Sequence, residues 1–140
     1  MLSVEEARAR ILAALAPVGT EWVGIAEAWG RVLAAPVTAR RDKPLADVSA
    51  MDGFAVRAAD CAAVPVRLRV IGSAPAGHPF AGTIGPGEAV RLFTGSVIPA
   101  GADAVVIQED TDHAGVEGAD TVEIRLAPRP GQHIRRRAGD

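Results

Sequence analysis

Three short polar clusters stand out in this 140-residue chain. The first is Ser49-Ala50-Met51-Asp52-Gly53-Phe54-Ala55-Val56, in which small residues deliver one carboxylate into an Asp-Gly step before an alternating strand. Asp-Gly between extended segments is a turn signal, because glycine accepts positive φ and an aspartate side chain can bond the neighbouring backbone. The second cluster is Arg91-Leu92-Phe93-Thr94-Gly95-Ser96, an apolar strand ending in a Thr-Gly-Ser turn whose hydroxyls and backbone N–H groups could hold an anion. The third is Gly131-Gln132-His133-Ile134-Arg135-Arg136-Arg137-Ala138-Gly139-Asp140, a basic triplet followed by an acid.

Together these groups suit chemistry on phosphate esters or oxyanions. Asp47, Asp52 and Asp60, three acids within a short span, could serve metal or phosphate-ester chemistry. Thr94 can donate to an oxyanion, and Arg135, Arg136 and Arg137 can attract one. Each has an ordinary reading beside this one. Asp47, Asp52 and Asp60 also read as caps or solvated loop acids, Thr94 as a turn hydroxyl, and the arginine run as a solvated surface. Asp103 is expected to help end the turn over 99–102, and Gln108, Glu109 and Asp110 are expected to be structural at a strand end. Trp22, Trp29, Phe54, Phe80 and Phe93 read as packing in the core or between lobes, being far apart without basic interleaving. A small magnesium phosphohydrolase is the weakest reading, since loop carboxylates do not define one without a nucleophile or a closed pocket.

The elements that must position these residues are legible from pattern. Ser3-Val4-Glu5-Glu6 is a capping box, and Val4, Ala7, Ile11, Leu12 and Leu15 follow at helical spacing until Pro17 and Gly19. This predicts an amphipathic helix over 4–16 whose Ile11, Leu12 and Leu15 must dock on something, because an isolated helix of that length is marginal. A short strand is expected over 20–25, a helical turn over 26–29 closed by Gly30, and an extended piece over 32–38. Beyond the charged, Pro-closed link 39–44, β-prone runs at 53–57, 66–71, 88–93, 103–108 and 121–126 are separated by Gly and Pro. The expected fold is therefore mainly β with an N-terminal helix. It comprises a small coiled, bifurcated or barrel-like sheet and a partly helical, elongated lobe, not a βαβ array. The expected division is a helical and extended lobe over 1–43 and a β-rich lobe over 44–140.

Composition narrows the function. Hydrophobic residues at 49% and charged residues at 23% describe a globular chain, and a net charge of −2 with one local arginine patch predicts no nucleic-acid binding. Cys61 stands alone, which rules out an internal disulfide and a cysteine zinc site and fits a reducing cytoplasm. His78, His113 and His133 lack the spacing of a helical metal site. Glu5 and Glu6 near the N-terminus argue against a secretory signal, and no apolar run approaches the roughly 20 residues of a membrane span. A soluble protein is expected.

At this point the sequence resembles the molybdopterin molybdenumtransferases, the MoeA type shared with the E domain of gephyrin, over most of its length. The resemblance rests on Ser49-Ala50-Met51-Asp52-Gly53, on Phe93-Thr94-Gly95 with Pro99-Ala100-Gly101-Ala102-Asp103-Ala104-Val105-Val106, on Gln108-Glu109-Asp110, and on Gly131-Gln132 leading into Ile134-Arg135-Arg136-Arg137. Departures are Val48 where the family has Asn, Phe54 where Tyr is common, His133 for Asn, and Ala138-Gly139-Asp140 for Gly-Glu-Asp.

The resemblance implies the N-terminal portion of an enzyme that inserts molybdate into adenylylated molybdopterin with magnesium present and releases AMP. It implies that a full-length member continues into an α/β pterin-binding domain, absent here, and works as a homodimer with each site between subunits. By position, Asp52, Thr94 and Asp140 match site residues of the family, with Asp52 and Asp140 towards metal and Ser49, Arg135, Arg136 and Arg137 towards the cofactor. This portion alone is expected to be inactive. The competing reading is a solitary, non-catalytic β-rich module of the same fold that binds or assembles with a partner.

Overall fold

The computed structural model describes residues 2–16, 18–112 and 120–139, and the chain falls into two compact units, Met1–Thr38 and Ala39–Asp140. His113, Pro17 and Asp140 lie outside the described residues.

In the first unit, α1 (Val4–Ala13) starts where Ser3 accepts the backbone N–H of Glu6 at 3.1 Å. Half of the expected capping box forms. The Glu6 carboxylate turns instead to Arg10, one turn on, at 2.9 Å, the favoured i,i+4 pairing of acid and base. The helix is shorter than the apolar spacing suggests, and it buries none of its residues: Ile11 and Leu12 remain 62% and 56% exposed, and Leu15 beyond its end 67%. A 3-10 turn, Ile25–Glu27, falls where a helical turn is expected, and Gly30 follows at φ 76°. The expected strand over 20–25 is absent, and the extended piece over 32–38 joins no sheet, because an extended segment with no neighbour has no ladder to join. Trp22 and Trp29 are exposed, so the core reading of both fails.

The second unit contains seven strands among the described residues: β1 (Val48–Ser49), β2 (Gly53–Val56), β3 (Val66–Ala74), β4 (Glu88–Leu92), β5 (Ala104–Ile107), β6 (Thr121–Ile124) and β7 (Ile134–Arg135). All five β-prone runs of the sequence become strands of one sheet, ordered β5-β2-β4-β3-β6. The ladders are antiparallel except β3 with β4, whose parallel pairing shifts register between Val70 and Ser73 and carries β3 on to Ala74. Gly72 lies in this irregularity, directly beneath the Phe80 ring, where any Cβ would collide.

Both faces of the sheet are covered, which follows from strands such as β2 that are apolar at every position. Phe54 and Val56 join Leu68, Val106, Val122 and Ile124 on one face, whereas Ala55 joins Val90, Leu92, Val105 and Ile84 on the other. Cys61 is buried in the first cluster, where burial pushes its thiol up to about 11 and leaves it an inert packing group. The fold is thus mainly β with one N-terminal helix, its sheet curled as a partial barrel.

The two shortest strands matter most for the site. β1 and β7 pair antiparallel, Val48 opposite Arg135 and Ser49 opposite Ile134. This ribbon draws residues 44–50 against 131–139. Val48 also bridges Val97, so a β-branched residue suits a position that the sequence alone reads as loop.

Candidate functional site

Asp52 occupies the loop between β1 and β2. Its Oδ1 accepts two hydrogen bonds, from the backbone N–H and from the hydroxyl of Thr94, each 2.7 Å long. The pairing brings together two sequence-predicted residues 42 positions apart. It follows from the β2–β4 register: Gly53 pairs with Leu92, which sets Asp52 beside the turn that leaves β4. The Thr94 amide, then its hydroxyl, and to a lesser degree the Arg91 charge hold the Asp52 carboxyl below the usual carboxylate range. Asp52 is consequently an anion at neutral pH, and among the described residues its Oδ2 accepts no hydrogen bond.

The local backbone explains why glycine follows Asp52, and the reason differs from the expected turn. Gly53 is not in the left-handed region; a Cβ there would lie 2.0 Å from the Val106 carbonyl oxygen, so close strand approach excludes any side chain. Gly95 is the conformational glycine, at φ 85° in the Thr94-Gly95-Ser96 turn.

That turn holds the protein itself. The Thr94 amide serves Asp52, the Gly95 amide donates to the Ser49 carbonyl at 2.8 Å, and the Ser96 amide donates to the Phe93 carbonyl at 2.9 Å. The Ser96 hydroxyl, fully buried, accepts from the Phe93 amide. The anion cradle expected of these amides is therefore already filled by backbone and carboxylate. Ser49, 1% exposed, donates its hydroxyl to the Met51 carbonyl at 2.6 Å and shapes the loop that carries Asp52.

The arginine triplet sits at the end of the β1/β7 ribbon. Arg136 reaches Asp47 at 2.6 Å, and Arg137 donates from its backbone to Asp47 at 2.8 Å and from its side chain to Asp42 at 2.6 Å. The Arg137 amide, followed by the Arg136 side chain, holds the Asp47 carboxyl below its ordinary range. Arg136 and Arg137 thus strap the chain to residues 42–47, and Arg135 faces Val48 in the ribbon. Asp60 likewise has a structural partner, the Gly87 amide at 3.0 Å, and Asp103 accepts from the Ala58 amide at 2.7 Å.

Sequence reasoning passed over Arg91 as a site residue. Its guanidinium lies 5.1 Å from the centroids of both the Phe54 and the Phe93 rings, and bonds the Gly53 carbonyl at 3.0 Å and Gln108 Oε1 at 2.8 Å. The available signal was the pairing of Arg91 with an aromatic two residues on, beside the Thr94 turn.

A family model described as the MoeA N-terminal region, domains I and II, matches residues 2–140. The chain belongs to this family. It is 44% identical over 123 residues to the molybdopterin molybdenumtransferase of Nostoc sp., covering 85% of this chain and 27% of that protein. With the Haemophilus influenzae molybdopterin molybdenumtransferase it shares 37% identity over 137 residues, or 97% of this chain and 33% of that protein. Among solved structures, the molybdopterin biosynthesis MoeA protein of Pyrococcus horikoshii superposes with a TM-score of 0.72 at 35% identity, covering 86% of this chain and 32% of the other. The chain therefore spans about a third of the length of the relatives it matches.

Proposed function

We propose that this chain is the N-terminal portion of a molybdopterin molybdenumtransferase and that it supplies one wall of an active site completed by a partner subunit. The observation that carries this reading is the Asp52–Thr94 pair: an anionic carboxylate fixed on one oxygen by two donors, with the other oxygen left for a ligand. Such a group suits a magnesium ion that keeps most of its waters and takes the rest of its ligands from substrate phosphates. Among the described residues no three His, Cys, Asp or Glu side chains form a metal cage, so Asp52 would hold the ion with substrate oxygens, and Asp140 is the second proposed ligand. Magnesium bound there would offset charge on the phosphate that leaves as AMP.

In this reading molybdate and adenylylated molybdopterin are substrates, held mainly by a pterin-binding domain outside this chain. Asp52 orients the metal, Thr94 orients Asp52, and Ser49 acts through the Met51–Asp52 backbone. Arg135, Arg136 and Arg137 contribute positive potential for the anionic substrate, the last two partly offset by the Asp47 and Asp42 carboxylates they hold. The working protein is a homodimer in the cytoplasm; among the described residues no helix is long and apolar enough to cross a membrane.

The test is Asp52→Asn in a full-length enzyme carrying these residues, with molybdenum insertion and AMP release measured. Loss of an electrostatic metal ligand predicts a fall in kcat of at least about 100-fold; unchanged turnover would remove Asp52 from the site. AMP release by the isolated 140-residue chain would contradict its inactivity.

A non-catalytic assembly module is the second reading, favoured by the exposed apolar residues of Met1–Thr38. A reading frame that stops after Asp140, together with a stable complex of the chain with another protein, would support it.

A further inference from the structure

We propose that Arg91 is a positioning residue for Asp52, acting as a two-pronged clamp that fixes the Asp52–Gly53 backbone and so keeps the carboxylate on Thr94. This rests on the reading of Asp52 as a site residue.

The placement is set by strand register. Arg91 lies on β4 directly opposite Phe54 of β2, and Phe93 follows two residues on, so its guanidinium comes to rest against both rings, 5.1 Å from each centroid. Cation–π contact on both sides limits the freedom of the group and directs its N–H edge. One nitrogen bonds the Gly53 carbonyl at 3.0 Å and another bonds Gln108 Oε1 at 2.8 Å. Gln108 in turn donates its backbone N–H to the Asp52 carbonyl at 3.1 Å. The carbonyls of Asp52 and Gly53 are thus both tied to the Arg91–Gln108 pair. With its backbone held on one side and its carboxylate on Thr94 at the other, Asp52 has little room to turn.

Arg91 differs from six other arginines of this unit. Arg57, Arg67, Arg69, Arg125, Arg136 and Arg137 each reach a carboxylate, as surface arginines do. Arg91 bonds two neutral acceptors while its charge acts on Asp52. A residue that served only to join strands would not need a cation there. The planar fork matters as much as the charge, because lysine has one nitrogen and cannot span both acceptors.

The test reads the Thr94 backbone amide by NMR in the 140-residue chain, where Asp52→Ala supplies the resonance position of a Thr94 amide without its side-chain acceptor. In Arg91→Met the Thr94 resonance is expected to move at least halfway to that position, and Arg91→Lys, which keeps the charge, is expected not to restore it. A Thr94 resonance left at its wild-type position in folded Arg91→Met overturns the proposal; should that variant fail to fold, Arg91→Lys decides by the same criterion. In the full-length enzyme, Arg91→Lys is expected to lower kcat by on the order of tenfold to a hundredfold with KM for the pterin nearly unchanged, as misplacement of a catalytic group does. Rising KM at constant kcat would overturn it. The amide readout does not depend on turnover, so an inactive role for Asp52 would leave that result standing while sinking the function it serves.

Discussion

The units Met1–Thr38 and Ala39–Asp140 use apolar residues in opposite ways. Among the described residues every buried apolar residue belongs to the second, whereas the first exposes Ile11, Leu12, Trp22, Ile25, Trp29 and Val32, each more than half accessible. Burial of such side chains contributes roughly 1.5–3 kcal/mol apiece. The second unit therefore has a core of its own, and the first has local hydrogen bonds and the capped α1 but no core of its own.

The sharpest way to break this contrast is to truncate one large side chain in each unit. Leu92→Ala, in the fully buried centre of the sheet, is expected to cost about 2–5 kcal/mol, and Trp29→Ala less than about 0.5 kcal/mol, both by denaturant unfolding of the chain. A cost above about 2 kcal/mol at Trp29 would mean that the residue is covered in solution and that the two units are more alike than this.

A smaller effect is expected within the well-packed unit, at Ala138, which sits at φ 57° in the strap after β7. A left-handed conformation costs an L residue roughly 1–2 kcal/mol. Ala138→Gly is expected to stabilise the chain by about 1 kcal/mol, read as a rise in melting temperature, because glycine adopts this conformation freely. No gain would show that the strap contributes nothing to global unfolding.

The smallest effect concerns acid. Asp47 and Asp52 have folded pKa values below their unfolded ones, so the stability they contribute is fully present above the unfolded carboxylate range and disappears as pH falls through the folded values. The melting temperature should decline below about pH 4, and Asp47→Asn should flatten that decline. A variant that kept the wild-type acid slope would show the Asp47 strap open in solution.

Much of the second unit was legible in its sequence because strands there are short, β-branched and cut by Gly and Pro. Local composition is enough to mark such runs. The parallel pairing of β3 with β4 was not legible, since nothing in either segment states its direction, and the β1/β7 ribbon was too short to leave a pattern. In the first unit the helix and its cap were visible, but the strand expected over 20–25 had the right composition and no partner.

For the site, the sequence by itself determined which groups are available: one acid in a small-residue loop, one threonine after an apolar strand, and a basic triplet near the end. Tertiary structure alone decided what each of them does. The β2–β4 register joined Asp52 to Thr94, the β1/β7 ribbon turned Arg136 and Arg137 onto Asp47 and Asp42, and the near contact of Gly53 with Val106 gave the Asp-Gly step its reason. Identity and local conformation are encoded within a few residues, whereas a hydrogen bond between positions 42 apart exists only once long-range strand pairing has brought them within 3 Å.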